Sequence, residues 1–173
     1  MDLKSLIREV PDFPKPGISF KDITTLLKDG AALRQTIDAF AAHFESARPD
    51  LIVGAESRGF VLGAPLAYKM GAGFILVRKP KKLPAPVARA SYELEYGQDS
   101  LEIHLDAIKP GQKILIVDDL LATGGTIHAV AELVKELKGV IVGFAFLVEL
   151  DFLKGRDRLK GYDVLSLVHY ESE

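Results

Sequence analysis

Four short apolar runs, bounded by turn residues and separated by helix-patterned stretches, set the fold class of this 173-residue chain. They are Leu51-Ile52-Val53-Gly54, Phe74-Ile75-Leu76-Val77, Ile114-Leu115-Ile116-Val117 and Val140 to Val148. Short runs without polar alternation read as strands covered on both faces. Between them, Leu33, Thr36, Ile37, Phe40 and Phe44 recur at helical spacing, and residues 59–70 read as a helix closed by Gly71. Ile127, Val130, Ala131, Val134 and Leu137 line one face of a further helix, and Tyr162 to Val168 supplies a last strand. Buried strands alternating with amphipathic helices predict a single α/β domain over residues 1–173, with a mostly parallel twisted sheet flanked by helices. Ligands of such sheets bind beyond the carboxyl ends of the strands. The loops at 54–59, 78–90 and 118–126 are expected on that edge.

Two segments depart from this rhythm. At the start, Leu3, Leu6, Ile7 and Val10 have helical spacing, so a first helix is expected to end at Pro11, before the stiff run Pro11-Asp12-Phe13-Pro14-Lys15-Pro16-Gly17. From Lys79 to Ala90, Pro80, Pro84 and Pro86 oppose a regular ladder, while Lys79, Lys81, Lys82 and Arg89 make the segment basic. Tyr92 to Tyr96 and Ser100 to Leu105 then alternate as a hairpin turning at Gly97.

Composition removes several function classes. With 22 basic against 24 acidic residues the chain lacks the basic excess of a general nucleic-acid binder. It has no cysteine, which excludes disulfides, thiolate metal sites and thiol catalysis. The four histidines, His43, His104, His128 and His169, show no metal-ligand spacing. Asp2, Lys4, Arg8 and Glu9 interrupt any signal-peptide core, and Val140 to Val148 is shorter than the ~20 residues of a membrane span. A soluble, cytoplasmic protein is expected, with neither nucleic acid nor membrane as partner.

The most informative chemistry lies in Ile114 to Thr126, where a strand runs into Asp118-Asp119 and then Leu120-Leu121-Ala122-Thr123-Gly124-Gly125-Thr126 before a helix. A glycine-bearing loop at a helix N-terminus leaves backbone N–H groups free to hold a phosphate. Thr123 and Thr126 add hydroxyl donors, and the two acids are acceptors suited to sugar hydroxyls. A Walker loop would need Gly-Lys-Ser/Thr, and a dinucleotide fingerprint would place its acid about 20 residues after the glycines rather than before them. A phosphate carrying a dihydroxy sugar is the simplest ligand.

That run resembles the phosphoribosyl-pyrophosphate motif of the type I phosphoribosyltransferase family, in the form carried by members that act on adenine. The resemblance extends through Phe13-Pro14-Lys15-Pro16-Gly17-Ile18, Glu56-Ser57-Arg58-Gly59-Phe60, Arg78-Lys79, Lys82-Leu83-Pro84, Tyr92-Glu93-Leu94-Glu95-Tyr96-Gly97 and Leu153-Lys154-Gly155-Arg156. It implies the type I phosphoribosyltransferase fold, with a base-binding N-terminal hood within residues 1–30 and a flexible lid loop and hairpin over 79–100. It further implies a homodimer that converts adenine and phosphoribosyl pyrophosphate, accompanied by Mg2+, into AMP and pyrophosphate. Lys81 is a small departure, since the loop often has glycine there.

The resemblance also implies roles. Asp118, Asp119, Ala122, Thr123, Gly124, Gly125, Thr126 and Tyr96 would bind the donor or AMP. Arg58, Arg78, Lys79 and Lys82 would meet the charge gathering on the departing pyrophosphate, which a lid would also shield from water. Phe20 and Leu150 would sandwich adenine while main-chain groups near Ser19 and Lys21 read its edge. Glu93 and Glu95 share one face of an alternating strand, and the family match points to Glu95 as the proton handler. The competing function is a ligand-sensing regulator that kept the fold and lost catalysis. Such a protein needs an added nucleic-acid surface, for which the chain has neither spare length nor basic excess.

Overall fold

The computed structural model describes residues 1–94 and 97–173. Its centre is a five-stranded sheet built from β3 (Leu51–Ala55), β4 (Gly73–Val77), β7 (Lys113–Leu121), β8 (Val140–Leu150) and β9 (Val164–Tyr170), in the order β4-β3-β7-β8-β9. Every neighbouring pair is parallel. Successive side chains of these strands enter opposite cores. Leu115, Val117, Ala145 and Leu147 join α2 (Gly30–His43) and α3 (Arg58–Met70) on one face. Ile114, Ile116, Phe144 and Phe146 join α4 (Gly125–Glu136) on the other. Burial on both faces is why these strands lack polar alternation.

Two small antiparallel ribbons complete the molecule. β1 (Arg8–Val10) pairs with β2 (Phe20–Asp22), and β5 (Val87–Glu93) pairs with β6 (Gln98–His104). A short helix, α1 (Thr24–Leu27), follows β2.

Three expectations are corrected. The first helix is only a 3-10 turn over Lys4–Leu6, and Arg8–Val10 is a strand. Leu3 and Ile7 are indeed buried, but Val10 precedes Pro11, whose ring disfavours helical backbone at the residue before it, and the ladder to Phe20–Asp22 takes over. The irregular segment after Lys79 ends at Pro86, because Val87 to Ala90 pair with Leu101 to His104 once the last proline is passed. Phe74 to Val77 is an edge strand and only partly buried: Phe74 packs on one core and Ile75 and Val77 on the other, but Leu76 is exposed.

Candidate active site

The carboxyl ends of β3, β4 and β7, together with the β5–β6 ribbon, enclose a cavity of about 400 Å3. Its wall runs through Glu56, Ser57 and Arg58, Lys79, Tyr92, and the continuous stretch 118–127. β7 extends beyond the acid pair to Leu121, because Leu120 and Leu121 continue the ladder to Val148 and Glu149. The loop to α4 is therefore only Ala122, Thr123 and Gly124. Gly124 turns the chain with φ +83°, a left-handed conformation that favours glycine. Among the described residues no side chain caps α4. The free N–H groups of its first turn and the positive end of its dipole thus lie at the cavity wall, with the hydroxyl-bearing Thr123 and Thr126 beside them.

The two acids differ in state. Asp119 is buried, and its Oδ2 accepts a hydrogen bond from Arg58 Nε at 2.5 Å. Asp118 Oδ1 accepts the Asp119 N–H at 2.9 Å. Burial first, and then the neighbouring Asp119 charge, push the Asp118 carboxyl well above the usual carboxylate range, while Arg58 opposes that shift.

The four cations expected around a pyrophosphate divide into two groups. Arg58, the first residue of α3, and Lys79 line the cavity. Lys79 Nζ is bonded to Asp99 and lies 3.3 Å from the Tyr92 hydroxyl. Arg78 and Lys82 instead gather on Glu56. Lys82 Nζ donates to Glu56 Oε2 at 2.5 Å, the Lys79 N–H donates to Oε1 at 2.7 Å, and Arg78 Nε lies 3.4 Å away. Burial would raise the Glu56 pKa, but these donors and charges outweigh it and hold the carboxyl below its ordinary value. The segment beyond is tied to β6 through buried Glu102, which accepts the Lys81 N–H at 3.0 Å and Arg89 Nη2 at 3.2 Å.

The residues expected to hold the base stand apart from this wall. Phe20, on β2, meets Phe13 edge to face at 5.2 Å and lies 5.6 Å from the Arg58 guanidinium carbon. Lys21 turns its side chain into the body, against Glu9 at 3.1 Å, Ser19 Oγ at 3.1 Å and the Tyr170 ring. Only its backbone is available to a ligand. Leu150 is the half-buried last residue of β8. Glu95 and Tyr96 lie outside the described residues. A separate trio, Glu149, Asp151 and His169, brings its ligand atoms within 4.8 Å of one another. Glu149 is already engaged by Arg156, at 2.6 and 3.0 Å.

Comparison with known proteins decides the family. Residues 22–169 match the phosphoribosyl transferase domain. An adenine phosphoribosyltransferase of Acidobacterium capsulatum is 61% identical over 168 residues, covering 97% of this chain and 93% of that protein. The chain belongs to the phosphoribosyl transferase family. Among solved family members, the adenine phosphoribosyltransferase of Thermoanaerobacter pseudethanolicus superposes with a TM-score of 0.94 at 56% identity, over 97% of this chain and 98% of that one. That of Saccharomyces cerevisiae, complexed with an imino-altritol bisphosphate and adenine, gives 0.91 at 44% identity, over 95% and 96%.

For a phosphoribosyl transferase, the structure adds residues to which the sequence reading assigned no role. Glu56 and Asp99 each hold cations of the site, and Glu102 holds the segment after β4. Glu56 stood next to Ser57-Arg58-Gly59, so its neighbourhood was legible and its partners were not.

Proposed function

We propose that the chain transfers the 5-phosphoribosyl group from phosphoribosyl pyrophosphate to adenine, giving AMP and pyrophosphate. One observation carries this reading: the uncapped N-terminus of α4, the Asp118–Asp119 pair and Arg58 face a single cavity. The α4 N–H groups and Thr123, Gly124, Gly125 and Thr126 suit a 5-phosphate. The acids suit the ribose hydroxyls, and Arg58 and Lys79 suit the leaving pyrophosphate. In the reaction the bond from C1′ to pyrophosphate breaks while a purine nitrogen bonds to C1′. The purine releases a proton, and the family resemblance assigns its handling to Glu95. Phe20 and Leu150 would hold the base between them, with the backbone at Ser19 and Lys21 reading its edge. The high identity to proteins named adenine phosphoribosyltransferase supports adenine as the acceptor.

Magnesium belongs to this reading as part of the donor. Among the described residues the acids facing the cavity are Glu56, Asp118 and Asp119, two of which already hold cations, Glu56 with Lys82 and Asp119 with Arg58. This fits an ion that arrives on the donor's phosphates and ribose better than one resident in the protein. The trio around Glu149 lies apart from the cavity wall, with Glu149 paired to Arg156 and Asp151 to His169.

A cytoplasmic homodimer completes the proposal. Among the described residues no helix is long and apolar enough to cross a membrane. Val61 and Tyr68, two turns apart on α3, are 44% and 91% exposed, an apolar face that a second copy would cover. Light scattering on the purified chain reads that mass directly. Incubation with adenine, phosphoribosyl pyrophosphate and magnesium tests the activity. AMP and pyrophosphate are expected in equal amounts, and their absence overturns the assignment.

A further inference from the structure

The Leu153-Lys154-Gly155-Arg156 turn takes no part in the chemistry described above, yet it touches the back of the phosphate loop. A Cβ placed on Gly155 would stand 2.2 Å from the Ala122 carbonyl oxygen and 3.0 Å from both the Gly124 nitrogen and Leu121 Cδ1. The contact is mutual, because a Cβ on Gly124 would stand 2.8 Å from the Gly155 carbonyl oxygen. Two backbones therefore abut with no side chain between them, one belonging to the loop at residues 122–124 and the other to the turn.

The turn is itself held rigidly. Arg156 makes a two-pronged pair with Glu149, Nε to Oε1 at 3.0 Å and Nη2 to Oε2 at 2.6 Å. Its Nη1 donates to the Val164 carbonyl at 3.0 Å, and its Nη2 lies 3.4 Å from Ser166 Oγ. Glu149 is 4% exposed and belongs to β8, the inner strand between β7 and β9. Just beyond the turn, Leu159 is buried in the same core as Ile127 and Val130 of α4. The backing of the loop is thereby tied to the sheet on one side and to the helix on the other.

We propose that Gly155 and Arg156 are positioning residues for the donor phosphate. Gly155 lets the turn press against the loop, and Arg156 fixes the turn to Glu149. Together they set where the N–H groups of the loop and the start of α4 point. This rests on the reading that the loop holds a phosphate. A side chain at Gly155 must displace the Ala122 carbonyl, and the N–H groups that follow it in the loop then lose their aim on the phosphate.

The test uses the full chain with Gly155→Ala, Arg156→Gln and Arg156→Lys, and ribose 5-phosphate as a probe that lacks both base and pyrophosphate. Titration calorimetry should show about 10- to 100-fold weaker binding for Gly155→Ala and Arg156→Gln, the scale of one lost hydrogen bond to a charged group. Arg156→Lys should recover part of that loss, because it restores the charge but not the fork. The KM for phosphoribosyl pyrophosphate should rise in parallel, while the KM for adenine at saturating donor moves less than about threefold. Should Gly155→Ala not fold, the two Arg156 variants carry the same comparison. Variants that bind ribose 5-phosphate as tightly as the parent overturn the inference. Equal losses for adenine and for the donor overturn it too, since they signal general destabilisation. A parent chain that does not bind ribose 5-phosphate overturns the phosphate reading itself and this inference with it.

Discussion

Arg58 Nε donates to Asp119 Oδ2 at 2.5 Å, so the first residue of α3 is fastened to β7, two residues before its end, at the wall of the candidate cavity. The Asp119 side chain is 9% exposed and that of Arg58 is 48% exposed. The carboxylate is thus the fixed member of the pair, and the guanidinium the member open to solvent. Among the described residues neither Arg58 Nη group donates to the protein. The pair aims the arginine without using all its donors, which leaves a cationic fork that, under the proposed reading, would meet the departing pyrophosphate.

Arg58→Gln should therefore lower kcat/KM for phosphoribosyl pyrophosphate by about 100- to 1000-fold, the scale of losing one aligned donor to developing negative charge. Arg58→Lys should recover little of it, because a lysine cannot bond Asp119 and present a second donor in the same plane. Steady-state kinetics at varied donor concentration decides this, and a lysine variant near parent activity would refute the aiming role.

The segment between β4 and β5 should close over bound donor. Its root is held by Glu56 through Lys82 and the Lys79 N–H, and its far side by Glu102 through Lys81 and Arg89. Lys79, Lys81, Lys82 and Arg89 stand close in sequence with little apolar anchorage, so local opening should be easy without an anion. Limited trypsin digestion should cleave after Lys81 and Lys82 in the free protein, Lys79 being shielded by Pro80, and spare both with donor and magnesium present. Equal cleavage in both samples would count against closure. Glu56→Gln should raise cleavage of the free protein, since the neutral amide holds Lys82 more weakly.

Acid should loosen the β1–β2 ribbon through Asp22. Its carboxylate accepts the Thr24 hydroxyl at 2.7 Å and the Thr24 N–H at 2.9 Å, and it pairs with Arg8. These bonds, the Thr24 hydroxyl foremost, pull its pKa from 3.8 to about 2. A carboxyl with a depressed folded-state pKa stabilises the fold fully above its unfolded value of 3.8, and that stability is lost as pH falls through about 2. Thermal melts between pH 5 and pH 2 should show a steeper acid decline for the parent chain than for Asp22→Asn. Parallel declines would remove Asp22 from the account.

What the sequence disclosed follows the range of the forces involved. Short-range pattern was legible: the buried runs at 51–54 and 114–117, the α3 end at Gly71, and the loop between β7 and α4 all follow from neighbours in the chain. Long-range pairing was not. Val10 is a strand residue because of a partner at Phe20, and its spacing from Leu3, Leu6 and Ile7 mimicked a helix. Lys82 finds Glu56 26 residues away, and Lys79 finds Asp99 20 residues away. Lysine four-carbon stems reach many acids, so no spacing rule selects those partners. Gly155 was hidden for another reason, since a glycine used for close backbone approach looks in sequence like any turn glycine.

Base choice is the sharpest test of the functional reading. In 6-oxopurine relatives of the resembled family an aspartate typically follows the acidic pair and two apolar residues, and here that position is Ala122. No carboxylate stands there to meet a protonated purine, and under the proposed reading the proton passes to Glu95, the acid to which the family resemblance points. Adenine offers a 6-amino donor and an N1 acceptor, which under the proposed reading meet backbone C=O and N–H groups near Ser19 and Lys21, since the Ile18 N–H already donates to the Lys15 carbonyl and the Ile18 carbonyl accepts the Phe13 N–H. A 6-oxopurine reverses both, setting oxygen against a carbonyl and N1–H against an N–H. Two mismatched buried polar pairs cost about 2–6 kcal/mol, so kcat/KM for adenine should exceed that for hypoxanthine or guanine by ~30-fold or more. Measured side by side, comparable use of hypoxanthine by the parent chain would overturn the adenine assignment. Glu95→Gln should depress kcat with adenine, and an unimpaired variant would remove the proton-handling role while leaving the base preference in place.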